Sequence, residues 1–207
     1  MSPTARPDDE YTTLLNPCEG LFKSKGSKHF GYVFPIQNAL DAEKHLAQLR
    51  KIHHTARHHA FAWRLGTHGE TYRTYDDGEP SNTAGPPILG ALRSRGVTHC
   101  LGVVIRYFGG TKLGVGGLIE AYREATFAAL DNGTIVVRQI TCPLHISFPY
   151  EKMGEVMSFL KKWGLSPLES HFDLWCTLKI EVRLRDAANF KSALETASIQ
   201  VKGLDTK

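Results

Sequence analysis

The stretch that decides the fold is Arg106-Tyr-Phe-Gly-Gly-Thr-Lys-Leu-Gly-Val-Gly-Gly117. An apolar run over 100–105, within a strand predicted over 98–105, precedes it, and apolar residues with helical spacing follow it to residue 130. This pattern predicts a buried strand, a glycine-rich loop and a helix from residue 117. Glycines let backbone N–H groups face a ligand, and a helix N-terminus adds partial positive charge. The stretch therefore predicts an anion site, and phosphate is the commonest cellular anion.

The predicted phosphate ligands in this stretch are its glycines and the residues that flank them. They are Arg106, Tyr107, Gly109, Gly110, Lys112, Gly114, Gly116 and Gly117. The spacing fits neither the P-loop nor the dinucleotide-binding glycine motif. The alternative is a tight crossover packed against another backbone. Lys112 favours the anion site, because a lysine beside a helix N-terminus needs a negative partner.

Other basic residues widen the predicted nucleic-acid footprint. They are Lys25, Lys28, Arg57, His58 and Arg64. The two lysines belong to a flexible turn, where they can follow a phosphate backbone. His54 and His58 have the i, i+4 spacing of a metal site, but no glutamate lies between them. The alternative for these histidines is a helix end that leads into the next strand.

Three carboxylates within four residues form an acidic loop, Asp76, Asp77 and Glu79. Carboxylate oxygens suit Mg²⁺, although the spacing matches no calcium-binding loop. A solvated turn in which Asp-Gly reverses the chain is a second interpretation. A salt link to Arg106, Lys112 or Arg123 is the third. The pattern assigns no metal ligand set, and we expect no cofactor, with Mg²⁺ as the one alternative.

Composition excludes several classes of protein. The 207 residues carry a net charge of +4, from 25 basic and 21 acidic residues, which is only mildly basic. The four cysteines are far apart, so the pattern indicates neither a zinc site nor a disulfide framework. The N-terminus lacks a signal pattern, and no apolar run approaches about 20 residues. We therefore expect a cytoplasmic protein with no membrane span.

The hydrophobic pattern changes near residue 138, and this change predicts two domains. Residues 1–15 are polar and are expected to be flexible, and 16–138 form the first domain. In 139–207 the pattern predicts strand, helix, two strands, helix and a short strand near 199–201. That order is the β-α-β-β-α-β order of a ferredoxin-like unit.

Long segments of the first domain resemble the IMPACT/YigZ family. They are Lys25-Gly-Ser-Lys28, Ala56-Arg-His-His59, Asp76-Asp-Gly-Glu-Pro-Ser81, Thr83-Ala-Gly85, Arg106-Tyr-Phe-Gly-Gly-Thr-Lys-Leu-Gly114 and Gly116-Gly-Leu-Ile119. The resemblance covers 25–130. This chain departs from the family pattern at Ala60, often a cysteine, and at Pro86, often a longer basic residue. Asn82 replaces a glycine in a backbone conformation that asparagine can also adopt.

The resemblance implies an α+β protein with a link to translation. The first domain is expected to be ribosomal-protein-like, a β-α-β domain similar to domain IV of elongation factor G. The second is expected to be similar to the ferredoxin-like end domains of that factor. Eukaryotic relatives restrain a translation-initiation kinase and carry an additional N-terminal domain for which this chain has no room. That partner is therefore not carried over.

Three functions stay open at this point. The favoured one is a non-enzymatic RNA- or ribosome-binding protein linked to the regulation of translation, for which no catalytic residue is assigned. The second is a Mg²⁺-dependent phosphotransfer or nucleotide-hydrolysing enzyme, in which Asp76 or Glu79 would hold the ion. The third is a module that binds a translation-regulator protein. The sequence does not predict the oligomeric state.

Overall fold

The computed structural model describes residues 9–196 and 200–203. They form an α+β protein of two compact units, one comprising residues 11–138 and the other residues 9–10 with the described part of 139–207. Residues 1–8 of the expected flexible N-terminus and residue 199 of the last expected strand lie outside the described ranges. Among the described helices, none is long and apolar enough to cross a membrane.

The larger unit is built on a five-stranded antiparallel sheet. Its elements are β1 (Glu10–Leu14), β2 (Cys18–Ser24), β3 (Ser27–Pro35), α1 (Ala39–Ile52), β4 (His58–Leu65), β5 (Thr71–Tyr75), α2 (Gly85–Ser94), β6 (Cys100–Tyr107), α3 (Gly114–Asp131) and β7 (Ile135–Gln139). The order of strands in the sheet is β2-β3-β6-β4-β5. Strands β1 and β7 pair in a separate two-stranded sheet.

Strand β6 is the centre of this sheet, as its apolar sequence predicts. Every residue of the strand except Tyr107 is buried. It pairs with β3 on one side and with β4 on the other. This register places Arg106 directly between His29 of β3 and His58 of β4. The end of β6 that leads into the glycine-rich loop is therefore rich in basic side chains.

Helices pack on both faces of the sheet. On one face, α2 and α3 contribute Leu92 and Tyr122 to a buried apolar cluster. On the other face, α1 packs through Leu49 against Phe61 and its neighbours. The aromatic residues that β3 presents to the α1 face are only partly buried, and these are Phe30, Tyr32 and Phe34. This face of the sheet therefore keeps accessible aromatic surface.

The smaller unit has an antiparallel four-stranded sheet and two helices. Its elements are β8 (Thr141–Pro149), a 3₁₀ turn (Tyr150–Lys152), α4 (Met153–Lys162), β9 (Glu169–His171), β10 (Trp175–Arg183), α5 (Leu184–Thr196) and β11 (Gln200–Gly203). The strand order is β11-β8-β10-β9. Phe148, Leu160 and Phe190 are the largest side chains of its buried core.

Two of the differences from the expectation concern β1 and β9. Residues 10–14 were expected to be flexible but form β1, because pairing with the distant β7 and burial of Leu14 hold them in place. The pattern of residues 165–172 predicts the first of the two middle strands of the second domain, but the strand is limited to Glu169–His171. Pro167 lies within the expected range and has no N–H to donate to a neighbouring strand.

Candidate functional site

A cavity of about 530 Å³ opens where β6 ends and α3 begins. Its polar wall consists of Arg57, His58, Glu79, Arg106 and Lys112. Its remaining wall consists of Pro80, Phe108, Leu113, Gly114, Val115 and Leu118. The cavity therefore brings together five of the predicted phosphate ligands, together with an apolar surface.

Helix α3 presents its N-terminus to this cavity. The helix begins at Gly114, three residues before the expected start, with a φ of +75° that favours glycine. Leu113 is the N-cap residue and gives no side-chain hydrogen bond, and the first turn contains no acidic residue. A Cβ on Gly114 or Gly116 would meet no atom within 4 Å. The first N–H groups of the helix, from Gly114 to Gly116, have no carbonyl partner within the helix and lie at the positive end of its dipole.

Gly109 has a different role from the one predicted. A Cβ at this position would lie 1.9 Å from the backbone carbon of Gly26, so only glycine fits against the β2–β3 turn. Its N–H donates a hydrogen bond of 3.1 Å to Oγ of Ser27. The prediction that Gly109 holds phosphate is therefore wrong, because its N–H and its surface are occupied. Gly110, with a φ of +90°, has open space around it.

A buried polar cluster forms the floor of the cavity. Arg106 donates through Nη1 to Oε1 of Glu79 at 2.7 Å, and the hydroxyl of Tyr122 donates to the same oxygen at 2.8 Å. Burial, followed by the nearby Glu79 carboxylate, raises the pKa of Tyr122. The salt link that the sequence left open as an alternative is therefore present at Glu79, and it offsets the charge of Arg106.

Two histidines lie on either side of Arg106. Nδ1 of His58 is 2.8 Å from the carbonyl oxygen of Asp77, so this nitrogen carries a hydrogen and donates. Nε2 of His58 is 3.9 Å from Oε1 of Glu79. On the other side, burial and the charge of Arg106 lower the pKa of His29 to about 4, so this imidazole is neutral at pH 7.

Asp76 is a backbone cap rather than a ligand site. Its Oδ1 accepts hydrogen bonds from the N–H groups of Ala84 and Gly85 at the start of α2. Its Oδ2 accepts from the N–H of Asn82, whose φ of +64° shows that asparagine adopts the conformation expected at this position. The carboxylate thus replaces the capping residue that α2 lacks.

Asp77 also binds neighbouring groups of the protein. Its Oδ2 accepts from the N–H of His59 at 2.6 Å, and its Oδ1 accepts from Arg50 at 3.3 Å. Within 9–196 and 200–203, no three His, Cys, Asp or Glu residues are grouped so that they could hold a metal ion. The acidic loop therefore positions the basic side chains and α2.

The prediction that Arg64 contacts nucleic acid is wrong. Its side chain is buried and donates to the carbonyl oxygens of Val97 at 2.7 Å and His68 at 2.9 Å. Arg64 pairs with Cys100 at the opposite end of β4 from His58. The two residues are six positions apart along the strand, which is about 20 Å. A basic residue at this end of the sheet stabilises a turn and cannot reach the cavity.

Tyr107 lies on the opposite face of β6 from Arg106, because side chains alternate along a strand. Its hydroxyl is 2.9 Å from Nδ1 of His53. Tyr107 and Lys28 line a separate cavity of about 390 Å³ on that face. Tyr107 therefore does not line the first cavity. Lys25 is exposed in the β2–β3 turn, with a φ of +45°, and lines neither cavity.

The fold brings to the site three residues that are not among the predicted phosphate ligands, and these are Phe108, His29 and Tyr122. Phe108 is 54% exposed and lines both cavities, and its ring centroid is 5.6 Å from Cζ of Arg106. His29 and Tyr122 form an edge-on pair beneath Arg106. The alternating burial of β3 is a signal that places His29 on the inner face. The pairing of β3 with β6, however, cannot be predicted from the sequence of either segment alone.

Comparison with known proteins identifies the family. The model of the Impact N-terminal domain matches residues 25–130, which include the cavity and the acidic loop. The IMPACT family member YvyE of Bacillus subtilis is 32% identical over 78% of this chain and 75% of that protein. The IMPACT family member YigZ of Escherichia coli is 30% identical over 74% of this chain and 76% of that protein. The chain belongs to the IMPACT family.

A solved structure has a similar fold over almost the whole chain. It is a crystal structure described as that of a hypothetical protein, with a TM-score of 0.71 and 25% sequence identity. The match covers 96% of this chain and 99% of that one. The likeness therefore extends across both units.

Proposed function

We propose that this protein is a non-enzymatic RNA- or ribosome-binding protein of the cytoplasm that serves the regulation of translation. The observation that carries the proposal is the cavity at the start of α3, where an open helix N-terminus lies beside Arg57 and Lys112. Membership of the IMPACT family fits the link to translation. A phosphodiester backbone is the polyanion that suits such a site.

The phosphate would bind at the helix N-terminus. The N–H groups from Gly114 to Gly116 and the positive end of the dipole attract an anion, and the first turn of α3 contains no acidic residue that would neutralise them. Lys112 and Arg57 are exposed at the cavity. Within the described residues, neither side chain forms an ion pair with a carboxylate. Because Glu79 offsets Arg106, these two residues supply the net positive charge.

The apolar wall suits a base or a sugar. Phe108 presents more than half of its surface to solvent beside the basic groups. Val115 is also exposed, and Leu113 and Leu118 extend the apolar surface inward. Aromatic rings next to a cationic groove are how proteins hold unpaired bases and the backbone between them. The volume, about 530 Å³, is within the range of small-ligand sites.

A phosphotransfer enzyme has less support from the same residues. Transfer of a phosphoryl group with Mg²⁺ needs carboxylate oxygens that can reach the ion. Asp76 and Asp77 accept hydrogen bonds from backbone N–H groups, and both partners of Glu79 are side chains of the floor. Each carboxylate is thus already used to hold the protein together.

The finer fold assignments belong to the same proposal. The strand order β11-β8-β10-β9, with α4 and α5, supports a ferredoxin-like second domain over 139–207. The family resemblance supports a ribosomal-protein-like first domain over 16–138, similar to domain IV of elongation factor G. Both related folds occur in components of the translation machinery.

Fluorescence anisotropy with a labelled, unstructured single-stranded RNA tests the proposal. We expect Kd to rise with salt, with a slope of about 0.7 in log Kd against log salt for each phosphate contact. Lys112→Ala should lower that slope by about 0.7 and weaken binding roughly fivefold, which corresponds to about 1 kcal/mol. Lys161→Ala, which removes an exposed lysine of α4, is the matched control and should change neither.

Binding that is independent of salt would contradict the proposal, as would equal affinity for the Lys112→Ala variant and the wild type. Capture of a translation factor that survives nuclease treatment, without affinity for RNA, would support the protein-binding alternative instead.

A further inference from the structure

A second cavity lies against the first, on the other face of the sheet. Its volume is about 390 Å³, and its wall consists of Gly26, Lys28, Phe30, His53, Tyr107 and Phe108. Phe108 is the residue that lines both cavities. It follows the last residue of β6, so its ring stands at the rim of the sheet between the two faces.

The alternation of β6 explains why there are two cavities. Arg106 points to the face that α3 covers, and Tyr107 points to the face that α1 covers. Each cavity therefore receives one of two consecutive residues. A ligand that occupies both must pass around the end of the strand, over Phe108.

The second cavity is a fixed aromatic surface with a cation at its edge. The rings of Phe30 and Tyr107 meet edge to face, with centroids 5.8 Å apart. Nδ1 of His53 is 2.9 Å from the Tyr107 hydroxyl, and Nε2 is 3.0 Å from the hydroxyl of Tyr32. Burial lowers the pKa of His53, so a neutral imidazole holds the two tyrosines in place. Lys28 is exposed beside them.

We propose that the ligand is a single RNA strand that places two neighbouring nucleotides in the two cavities, with Phe108 between them. This inference rests on the proposed function. It follows from the continuity of the second cavity with the phosphate site, from the aromatic wall and from the positive charge of Lys28. Bases can enter such cavities only when they are unpaired, because a paired base in a duplex is stacked and covered on both faces.

The negative charge of Glu19 on the sheet also limits the length of the RNA segment that can bind. Beyond Phe30, the aromatic face of β3 continues to Tyr32, where the next cavities contain Glu19. A carboxylate repels a phosphate backbone. The bound segment therefore comprises two nucleotides and ends before Glu19.

Adenosine oligonucleotides with a 5′-phosphate test the inference by calorimetry on the full chain. We expect the dinucleotide to bind about tenfold more tightly than the mononucleotide, and a third nucleotide to add little. Lys28→Ala should remove most of the gain from the second nucleotide and leave mononucleotide binding unchanged. Lys44→Ala, an exposed lysine of α1 outside the cavities, is the control. Tyr107→Ala should act as Lys28→Ala does, provided that it folds.

The possible failures are distinguishable. If the mononucleotide binds and Lys112→Ala weakens that binding, but the dinucleotide binds no more tightly, the two-nucleotide inference is overturned and the proposed function stands. Binding of a blunt RNA duplex as tightly as the single strand would also overturn the inference. If none of these RNAs binds, both the proposed function and the inference fail.

Discussion

Arg106 and Glu79 form a buried ion pair at the floor of the first cavity, with side chains only 8% and 4% exposed. Removing two charges from water costs several kcal/mol, and the hydroxyl of Tyr122 helps to offset this cost by donating a hydrogen bond to the same carboxylate. The pair fixes the guanidinium beside Phe108 and neutralises it. The net positive charge of the cavity therefore comes from Lys112 and Arg57.

Replacing Glu79 is expected to change stability and RNA binding in opposite directions. Glu79→Gln leaves the charge of Arg106 buried without its counter-ion, so we expect a loss of about 3–5 kcal/mol in the free energy of unfolding. The same change adds one unit of positive charge to the cavity, so RNA affinity of the folded variant should rise. Urea unfolding measures the loss of stability, and fluorescence anisotropy at a temperature where the variant is folded measures the RNA affinity. Loss of RNA binding with unchanged stability would show that Glu79 contacts the ligand itself.

Removing the hydroxyl of Tyr122 tests the buried polar cluster without removing a charge. Tyr122→Phe deletes the hydrogen bond of 2.8 Å to the Glu79 carboxylate and keeps the packing of the ring. Hydrogen bonds to charged groups contribute about 1.5–3 kcal/mol, and we expect a loss of that size in urea unfolding. Thr126→Val, which removes a hydroxyl bonded only to a carbonyl of the same helix, is the control and should cost less. Equal losses of unfolding free energy in the two variants would mean that the hydrogen bond from Tyr122 does not stabilise the Glu79 carboxylate.

The buried histidine next to Arg106 predicts how stability depends on pH. The pKa of His29 is lowered to about 4 in the folded protein, so the unfolded chain binds a proton first as the pH falls. Stability from this residue is complete above pH 6.5 and is lost progressively between pH 6.5 and about 4, by about 3 kcal/mol. In urea unfolding across this range, His29→Gln should flatten the decline. The exposed His171→Gln should not, and an equal decline in all three proteins would refute the assignment.

The cap at the start of α2 provides a further prediction. Asp76→Ala removes the acceptor of three backbone N–H groups, those of Asn82, Ala84 and Gly85. Loss of a helix cap costs about 0.5–2 kcal/mol, and we expect a value at the upper end in thermal unfolding. RNA affinity of the folded variant should be unchanged. A selective loss of affinity, with normal stability, would mean that Asp76 has a direct part in the site.

The sequence was sufficient for the centre of the larger unit. The apolar run into β6 and the helical spacing after it predicted the strand, the loop and α3, because each signal is local. It was not sufficient for β1 and β7, whose pairing joins residues more than a hundred positions apart. The sequence was also not sufficient to show which side chains of β6 face which side of the sheet. Whether Arg106 or Tyr107 faces α3 depends on the register with β3 and β4, and this decided that Phe108, not Tyr107, belongs to the first cavity.

Residue type alone also misplaced Arg64. A basic residue in a strand that also carries aromatic residues looks like a nucleic-acid contact, yet the antiparallel register places it at the far end of β4 from the cavity. The acidic loop shows the opposite case. The sequence singled out its carboxylates as a possible metal site or salt link. In the structure their partners are backbone N–H groups, arginines and Tyr122, which spacing could not distinguish from a metal ion.

The most direct test of the central claim is an NMR titration of the isotope-labelled full chain with inorganic phosphate and then with adenosine 5′-monophosphate. The claim is that the first amides of α3 bind phosphate beside Lys112. We expect the largest amide shifts at Gly114, Val115, Gly116 and Gly117, reduced in Lys112→Ala and unchanged in Lys161→Ala. Shifts confined to other parts of the chain, or no saturable shifts at these four amides, would contradict the account.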